Sequence, residues 1–489
     1  MLLLHYMTAA ALLCMCSDGL LWSSLGVVDD GRTDSTAALN ALPVGVLVEG
    51  DCPHGGVVLA QGVWNLRSHL YVRVQAGCEV LSNSTGLGSY AISQEDPATP
   101  LSNVTLVGLT ISKTTQAPGD RILLAYIDNF QLLNWTFYHH GGAMFLRGSC
   151  QEVAGGRSYA AAPQVGSPGL RHVGNLPKAA CLRPQPASVW VHHNSIESGD
   201  GAYQACQPLE KQLWVGVGSD DLLFEDCTGS SNASAFILLG LHYALAQQSA
   251  FSCTNVTFQR MQGSGLRLIY VQAAAAPNLV EGVVLRDLLL RRTPYLSFSP
   301  ASIQLTAVAG GEVRAVLMDG VRALGTQLVG LNQTGQLQGV VFTNGELSAP
   351  EAGGAPNVNI EGGASAVLSH SLIGGASSGS SVAIGGVQAA ASPAQGTLVL
   401  NCTLAGVGAG SVGIALGRAN GSLLLGNLLT PQQGAGPSTT GIALAAATTH
   451  ATVHLNDVRA MATGIVCGQG SSNNVSDNPG AADCPQKTV

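Results

Sequence analysis

The sequence predicts an all-β chain wound as a single-stranded parallel β-helix. Three observations lead there: short strand-like runs return at nearly even intervals, no stretch keeps helical spacing for long, and the composition is rich in glycine and poor in charge. Of 489 residues only 10% are charged while 46% are hydrophobic and 62 are glycine. Ordinary globular domains carry roughly 25% charged residues. Helices draw on Glu, Lys and Arg to cover their wet faces, so this balance suits stacked strands and turns, and its hydrophobic share argues against disorder. The net charge of -8 and a pI near 5.8 argue against a nucleic-acid binder, because no basic stripe exists to neutralise phosphates.

Taken in chain order, the apolar stretch from Leu2 to Cys16 is short for a membrane span and suits the h-region of a secretory signal, with cleavage between Ser17 and Ser24. Its basic flank is missing, since no Lys or Arg precedes Arg32, and a buried N-terminal segment is the alternative. No later apolar run reaches the ~18 residues of a spanning helix. The expectation is a signal peptide over about 1–20, then one secreted, extracellular or cell-wall domain over 21–489. Loss of Cys14 and Cys16 with the leader leaves ten of twelve cysteines, an even number that an oxidising compartment can pair. No C-x-x-C pair is present, so disulfides outrank metal ligation. Cys52 and Cys78, like Cys227 and Cys253, lie 26 positions apart. On stacked coils that offset puts Cys227 and Cys253 on adjacent rungs within disulfide reach, an unpaired sulfur ladder being the alternative. Sequons at Asn83, Asn103, Asn134, Asn232, Asn255, Asn332, Asn401, Asn420 and Asn474 are glycosylation acceptors or, equally, turn asparagines that precede strands.

Strand-like runs start at Asn103, Asn129, Ser188, Asp221, Asn255, Gly282, Gly310, Gln336, Gly396, Gly421 and Ala451, mostly about 25 to 35 residues apart. Each unit is too short to bury a face alone, so it must stack on its neighbours, one set of alternating side chains turned inward and the other outward. The Ala-, Gly- and Ser-rich stretch 348–447 keeps this grammar at Leu372-Ile373, Leu398-Val399-Leu400 and Leu423-Leu424-Leu425, unlike a flexible linker. Residues 150–186 interrupt the period. They form either a lid over the candidate site, fastened by Cys150 and Cys181, or a tolerated insertion.

The segment Val27-Val-Asp-Asp-Gly-Arg-Thr-Asp-Ser-Thr-Ala-Ala-Leu-Asn-Ala-Leu resembles the opening motif of pectin-lyase-like right-handed β-helix proteins. Asp34 or Thr33 would cap a short helix running through Ala37 and Leu39 to Leu42 and closing the first rung. Gly55-Gly-Val-Val-Leu-Ala-Gln-Gly-Val-Trp-Asn-Leu resembles the strand and tight turn that follow this cap in the family.

Over roughly 100–300 the chain resembles polygalacturonase-type glycoside hydrolases more loosely. Ser198-Gly-Asp-Gly-Ala-Tyr-Gln-Ala is similar to that family's Gly-Asp-Asp stretch, which implies Asp200 as one carboxylate, with Gly201 where the second belongs. No acid stands near Pro177, where the Asn-Thr-Asp element falls, and Ser234-Ala-Phe occupies the Gly-His-Gly place. Gly265-Leu-Arg-Leu-Ile resembles the Arg-Ile-Lys element, with Arg267 kept and Ile269 in place of lysine. Glycoside hydrolysis ordinarily needs two carboxyl groups, which disfavours the ordinary mechanism. A rearranged pair would recruit Glu197, Asp220, Asp221, Glu225 or Asp226.

The richest polar constellation spans 192–267. Asp200, Arg267 and Glu197 are the candidate catalytic residues, and Tyr203, Gln204, Asp220, Asp221, His242 and Tyr243 the candidate substrate contacts. Trp190, Tyr203 and Tyr243 offer faces for sugar rings, and Arg267 a planar fork for a uronate. Each has a plain reading too: Asp200 as a turn residue beside glycine, Arg267 as a surface ion pair, His192 and His193 as alternating strand positions. Asp220 and Asp221, at a loop-to-strand junction, offer too few hard-oxygen ligands to assign Ca²⁺, and no metal or cofactor is implied. The sequence thus points to a secreted enzyme acting on a pectin-like or other acidic polysaccharide, by hydrolysis, elimination or epimerisation. The alternative is a non-catalytic glycan-binding or structural β-helix. A nucleotide enzyme is disfavoured by the absence of a P-loop or dinucleotide fingerprint.

Overall fold

The computed structural model describes residues 19–480 apart from 55, 84–89, 95–100, 114–120, 126, 135, 139–143, 148–188, 193–194, 199–202, 206–216, 232–234, 241–250, 266, 275–277, 293–302, 309, 325–327, 334–335, 348–356, 364, 375–378, 386–392, 435–437 and 469–471. Three long parallel sheets of 16, 14 and 14 strands are formed by the described residues. The chain visits the first, second and third sheet in turn and then pairs one coil further on, which is the expected right-handed parallel β-helix. One such coil runs Val217–Glu225, Thr228–Ser231 and Ala235–Gly240, and the next Phe251–Gln259, Gln262–Gly265 and Arg267–Ala274. Phe224 pairs with Phe258, and Phe258 in turn with Leu285, spacings that fall within the expected range. Leu132 pairs with Val191, so the coil between them is much longer than either of those. Both the 150–186 stretch and the lid reading fall outside the described residues.

Strand alternation fills the coil. Phe224, Phe258, Leu285, Met318, Phe342, Leu368, Val399 and Leu424 make one inward file on the first sheet, none more than 1% exposed. Phe224 and Phe258 stack with centroids 4.5 Å apart and planes within 7°. At the N-terminal end Trp22 and Trp64 meet edge to face and close the core, Gly50 leaving the room that Trp22 occupies.

Passage from the first sheet to the second depends on one residue at positive φ per coil. Asp226, Arg260, Asp287, Gly320, Asn344, His370, Asn401, Gly426 and Leu455 hold it at 49° to 67°. Asn, Asp and Gly dominate because they reach this region most cheaply. A second file at positive φ, Asn255, Gly282, Ala315 and Gly339, kinks the strands of the first sheet midway. Glycine follows for a further reason: a Cβ on Gly282 would lie 3.1 Å from the Asn255 amide oxygen, and one on Gly320 2.8 Å from an Asp287 oxygen. Asn103, Asn134, Asn255 and Asn401 all take positive φ; Asn134 and Asn401 stand at turns before strands, as the turn reading expects, whereas Asn103 and Asn255 lie within strands.

Two expectations are corrected. The helix runs Thr36–Asn40 with Ser35 at its N-cap, while Asp34 accepts the Thr36 amide at 3.0 Å and hydroxyl at 2.6 Å from one position earlier. Leu39 and Leu42 are buried as expected, with Leu42 beyond the helix end. Cys52 and Cys78 form a disulfide, but Cys227 is not bonded to Cys253. The local coil is longer than the spacing of these two cysteines, as Thr228 pairing with Gln262 shows, so their offset misses the matching position. Cys253 lies mid-strand opposite Ser219, and Cys227, at the passage to the second sheet, donates its thiol to the Glu225 carbonyl.

Candidate functional site

The predicted residues divide among the three sheets. Glu197 belongs to the strand Ser195–Ser198 of the second sheet, in register between Tyr138 and Ser230. Tyr203 and Gln204 belong to Tyr203–Ala205 of the third sheet, and Arg267 opens the third-sheet strand Arg267–Ala274 two coils later. Asp200, His193, His242 and Tyr243 lie outside the described residues, Asp200 in the short link from the Glu197 strand to the Tyr203 strand. Asp220 and Asp221 are inside the strand Val217–Glu225 of the first sheet, which corrects the loop-junction expectation and sets them on a different sheet from Glu197 and Gln204. Asp220 is in one file with Thr254, Glu281 and Arg314, and Arg314 pairs with Glu281 at 2.9 Å.

On the third sheet, Tyr203 is in register with Ile237 and through it Ile269, both fully buried. Ile269, which stands where the resemblance has a lysine, is therefore a core residue. Gln204 runs in the neighbouring file with Leu238, Tyr270 and Gln304. Tyr270 and Gln304 pair in register, as do Gln272 and Thr306, giving a two-by-two polar array on the third sheet. The nearly buried Tyr270 hydroxyl donates to Gln272 Oε1 at 2.7 Å, and Gln304 Nε2 donates to the buried Thr306 hydroxyl at 3.1 Å. Each half-buried glutamine is thereby fixed by a buried partner. Gln272 is left with an amide N–H₂ to donate and Gln304 with a carbonyl to accept. Sequence reasoning missed this array, because isolated Gln and Thr in a strand carry no motif and only the register of successive coils unites them.

The remaining acids of the constellation are committed elsewhere. Glu225, 4% exposed, accepts from Gln259 at 2.6 Å and from Arg260 at 2.5 Å, and Asp226 accepts from Arg260 Nε at 2.8 Å. The Asp226 hydrogen bond leads in holding the Arg260 proton more firmly than usual, with Glu225 adding to it against the opposing cost of burial. His192 is in register with Glu225 at the end of its strand. Among the described residues no group of His, Cys, Asp and Glu is arranged to hold a metal ion, and no helix is long and apolar enough to cross a membrane.

Three parallel sheets visited once per coil define the class as a parallel β-helix. No protein-family model and no curated protein sequence matches the chain. Among solved structures it is similar to tailspike protein 3 of bacteriophage CBA120, at 13% identity and a TM-score of 0.44 over 96% of this chain, and it spans 62% of that tailspike's length. It is also similar to the A-module of a mannuronan C-5 epimerase from Azotobacter vinelandii, at 12% identity and a TM-score of 0.41 over 85% of this chain and 96% of that one. A family 28 exopolygalacturonase of Yersinia enterocolitica has 13% identity and a TM-score of 0.31, over 88% of this chain and 76% of that one.

Proposed function

We propose that the chain is a secreted protein that binds an acidic, pectin-like polysaccharide along the third sheet and its junction with the second. The observation that carries this reading is the array of Gln272 and Gln304, each amide held by a buried hydroxyl partner, on a sheet whose strand begins at Arg267. Amides fixed in advance lose little entropy on meeting sugar hydroxyls, and a guanidinium pairs bidentately with a uronate carboxylate. Gln204 lies in the same file, and Glu197 belongs to the second-sheet strand of the same coil. The Cys52–Cys78 disulfide and the apolar leader favour an oxidising, extracellular setting.

Bond cleavage is a second reading and rests on Asp200 and Glu197 alone. Glu225 and Asp226 are committed to Arg260, and Asp220 belongs to the first sheet. Calorimetric titration with polyuronides, run beside assays of reducing ends and of unsaturated products, tests both. Binding without product is the expected result, and product formation abolished by Asp200→Asn establishes the catalytic reading. Absence of binding to every polyuronide contradicts the proposal.

A further inference from the structure

Between Glu361 and Asp457 the sequence holds a single ionised side chain, Arg418, although the whole chain carries 21 basic and 29 acidic residues. Several consecutive coils are thus almost uncharged. On the first sheet of this section the outward file reads Val341, Val367, Leu398 and Leu423, each in register with the next, and it continues from Val284 and Leu317. Leu400 and Leu425 run beside it. All of these alternate with buried neighbours and are themselves only partly covered. Around the corner, Leu372, Leu428 and Leu455 are 42%, 41% and 53% exposed.

Leu455 adds an independent sign. It takes φ 55° in the file that most coils fill with Asn, Asp or Gly. A leucine there is strained, and with more than half of its surface in water it regains little by burial within the chain. Cover from outside the chain restores that burial.

We propose that this surface pairs with the same surface of a second copy. With a net charge of -8 two copies repel one another, and the 362–456 section, at +1, is the part of the surface where that repulsion is relieved. Both copies carry leucine files at the same coil spacing of about 4.8 Å, so antiparallel files interdigitate along their whole length around a two-fold axis. The apolar files and corner leucines cover on the order of 500 Å² a side, and a polar rim brings the pair near the roughly 800 Å² per partner of a stable complex.

Sedimentation of the full chain over a wide concentration range tests the pairing. A dimer is expected, strengthened by sulfate. Leu423→Asp should weaken it at least 100-fold, whereas Val466→Asp, on the third sheet, should leave it unchanged. Leu455→Asn guards against misfolding as an explanation: it relieves the strain, so it should raise the melting temperature while weakening the dimer. A monomer at every concentration, or a dimer indifferent to Leu423→Asp and Leu455→Asn, overturns the proposal. Capture of an extended glycan or of a membrane surface on these first-sheet leucine files by a monomeric chain overturns it as well.

Discussion

Arg260 illustrates how much a single side chain does once coils stack. It stands in the positive-φ file, where an arginine is strained, yet its guanidinium pairs with both Glu225 and Asp226 from the coil before. Arg260→Ala should destabilise the chain by about 2 kcal/mol, less than a fully buried pair because Arg260 is half exposed, with the penalty centred on Glu225, which loses the guanidinium and keeps the Gln259 amide. Chemical denaturation should show most of that loss restored by adding Glu225→Gln. Asp34 supplies a pH-dependent counterpart. Its carboxyl lies below the ordinary value, chiefly through the Thr36 hydroxyl, with desolvation opposing and the Gln61 and Thr36 amides adding smaller shares to the lowering. A depressed folded-state value means that the contribution is complete above the ordinary carboxylate range and is lost as pH falls through the lowered value. Hydrogen exchange of the Thr36–Asn40 helix should accelerate on acidification in that window, and Asp34→Asn should remove the dependence. The sequence announced an acid near this cap, but whether residue 34 or 35 holds the N-cap depends on the strand Asp30–Asp34 that runs into it.

At the scale of an element, the inward file at the passage to the second sheet changes character along the solenoid. Cys227, Met261, Leu288 and Val321 make it apolar, whereas Asn427, Asn456 and Asn478 turn it into an amide ladder. Asn427 Nδ2 donates to Asn456 Oδ1 at 2.7 Å, and Asn456 Nδ2 to Asn478 Oδ1 at 3.0 Å, while each Oδ1 also accepts the backbone amide one coil earlier. Asn456→Ala should cost about 3 kcal/mol, by leaving the buried Asn427 backbone amide without its acceptor and removing one donor from Asn478 Oδ1, and a urea titration should register it. The ladder was not legible in the sequence, because its members lie 29 and 22 residues apart and no fixed period links them. The Cys227–Cys253 expectation failed for the same reason, since it assumed one coil length where the coils vary. Strands were legible, because alternation at Leu398–Leu400 and Leu423–Leu425 is local and survives in an Ala- and Gly-rich stretch.

For the whole molecule, the parallel solenoid follows from strand units that cannot bury a face alone, and the sequence carried that message along its full length. Of the candidate site, the sequence named residues that register brings into line and others that it separates. Gln204 falls in a file with Tyr270 and Gln304, and Arg267 heads the strand that carries Tyr270 and Gln272. Asp220 and Asp221, close to Asp200 in number, belong to another sheet, since each coil spreads its residues around three faces. Hydrogen-exchange footprinting with an oligouronide, repeated with Arg267→Ala, measures the central claim most directly. Protection over 195–205 and 262–274, with affinity at least ten-fold weaker in the variant, is the predicted outcome. Protection confined to strands of the first sheet, or an affinity that Arg267→Ala leaves intact, would contradict it.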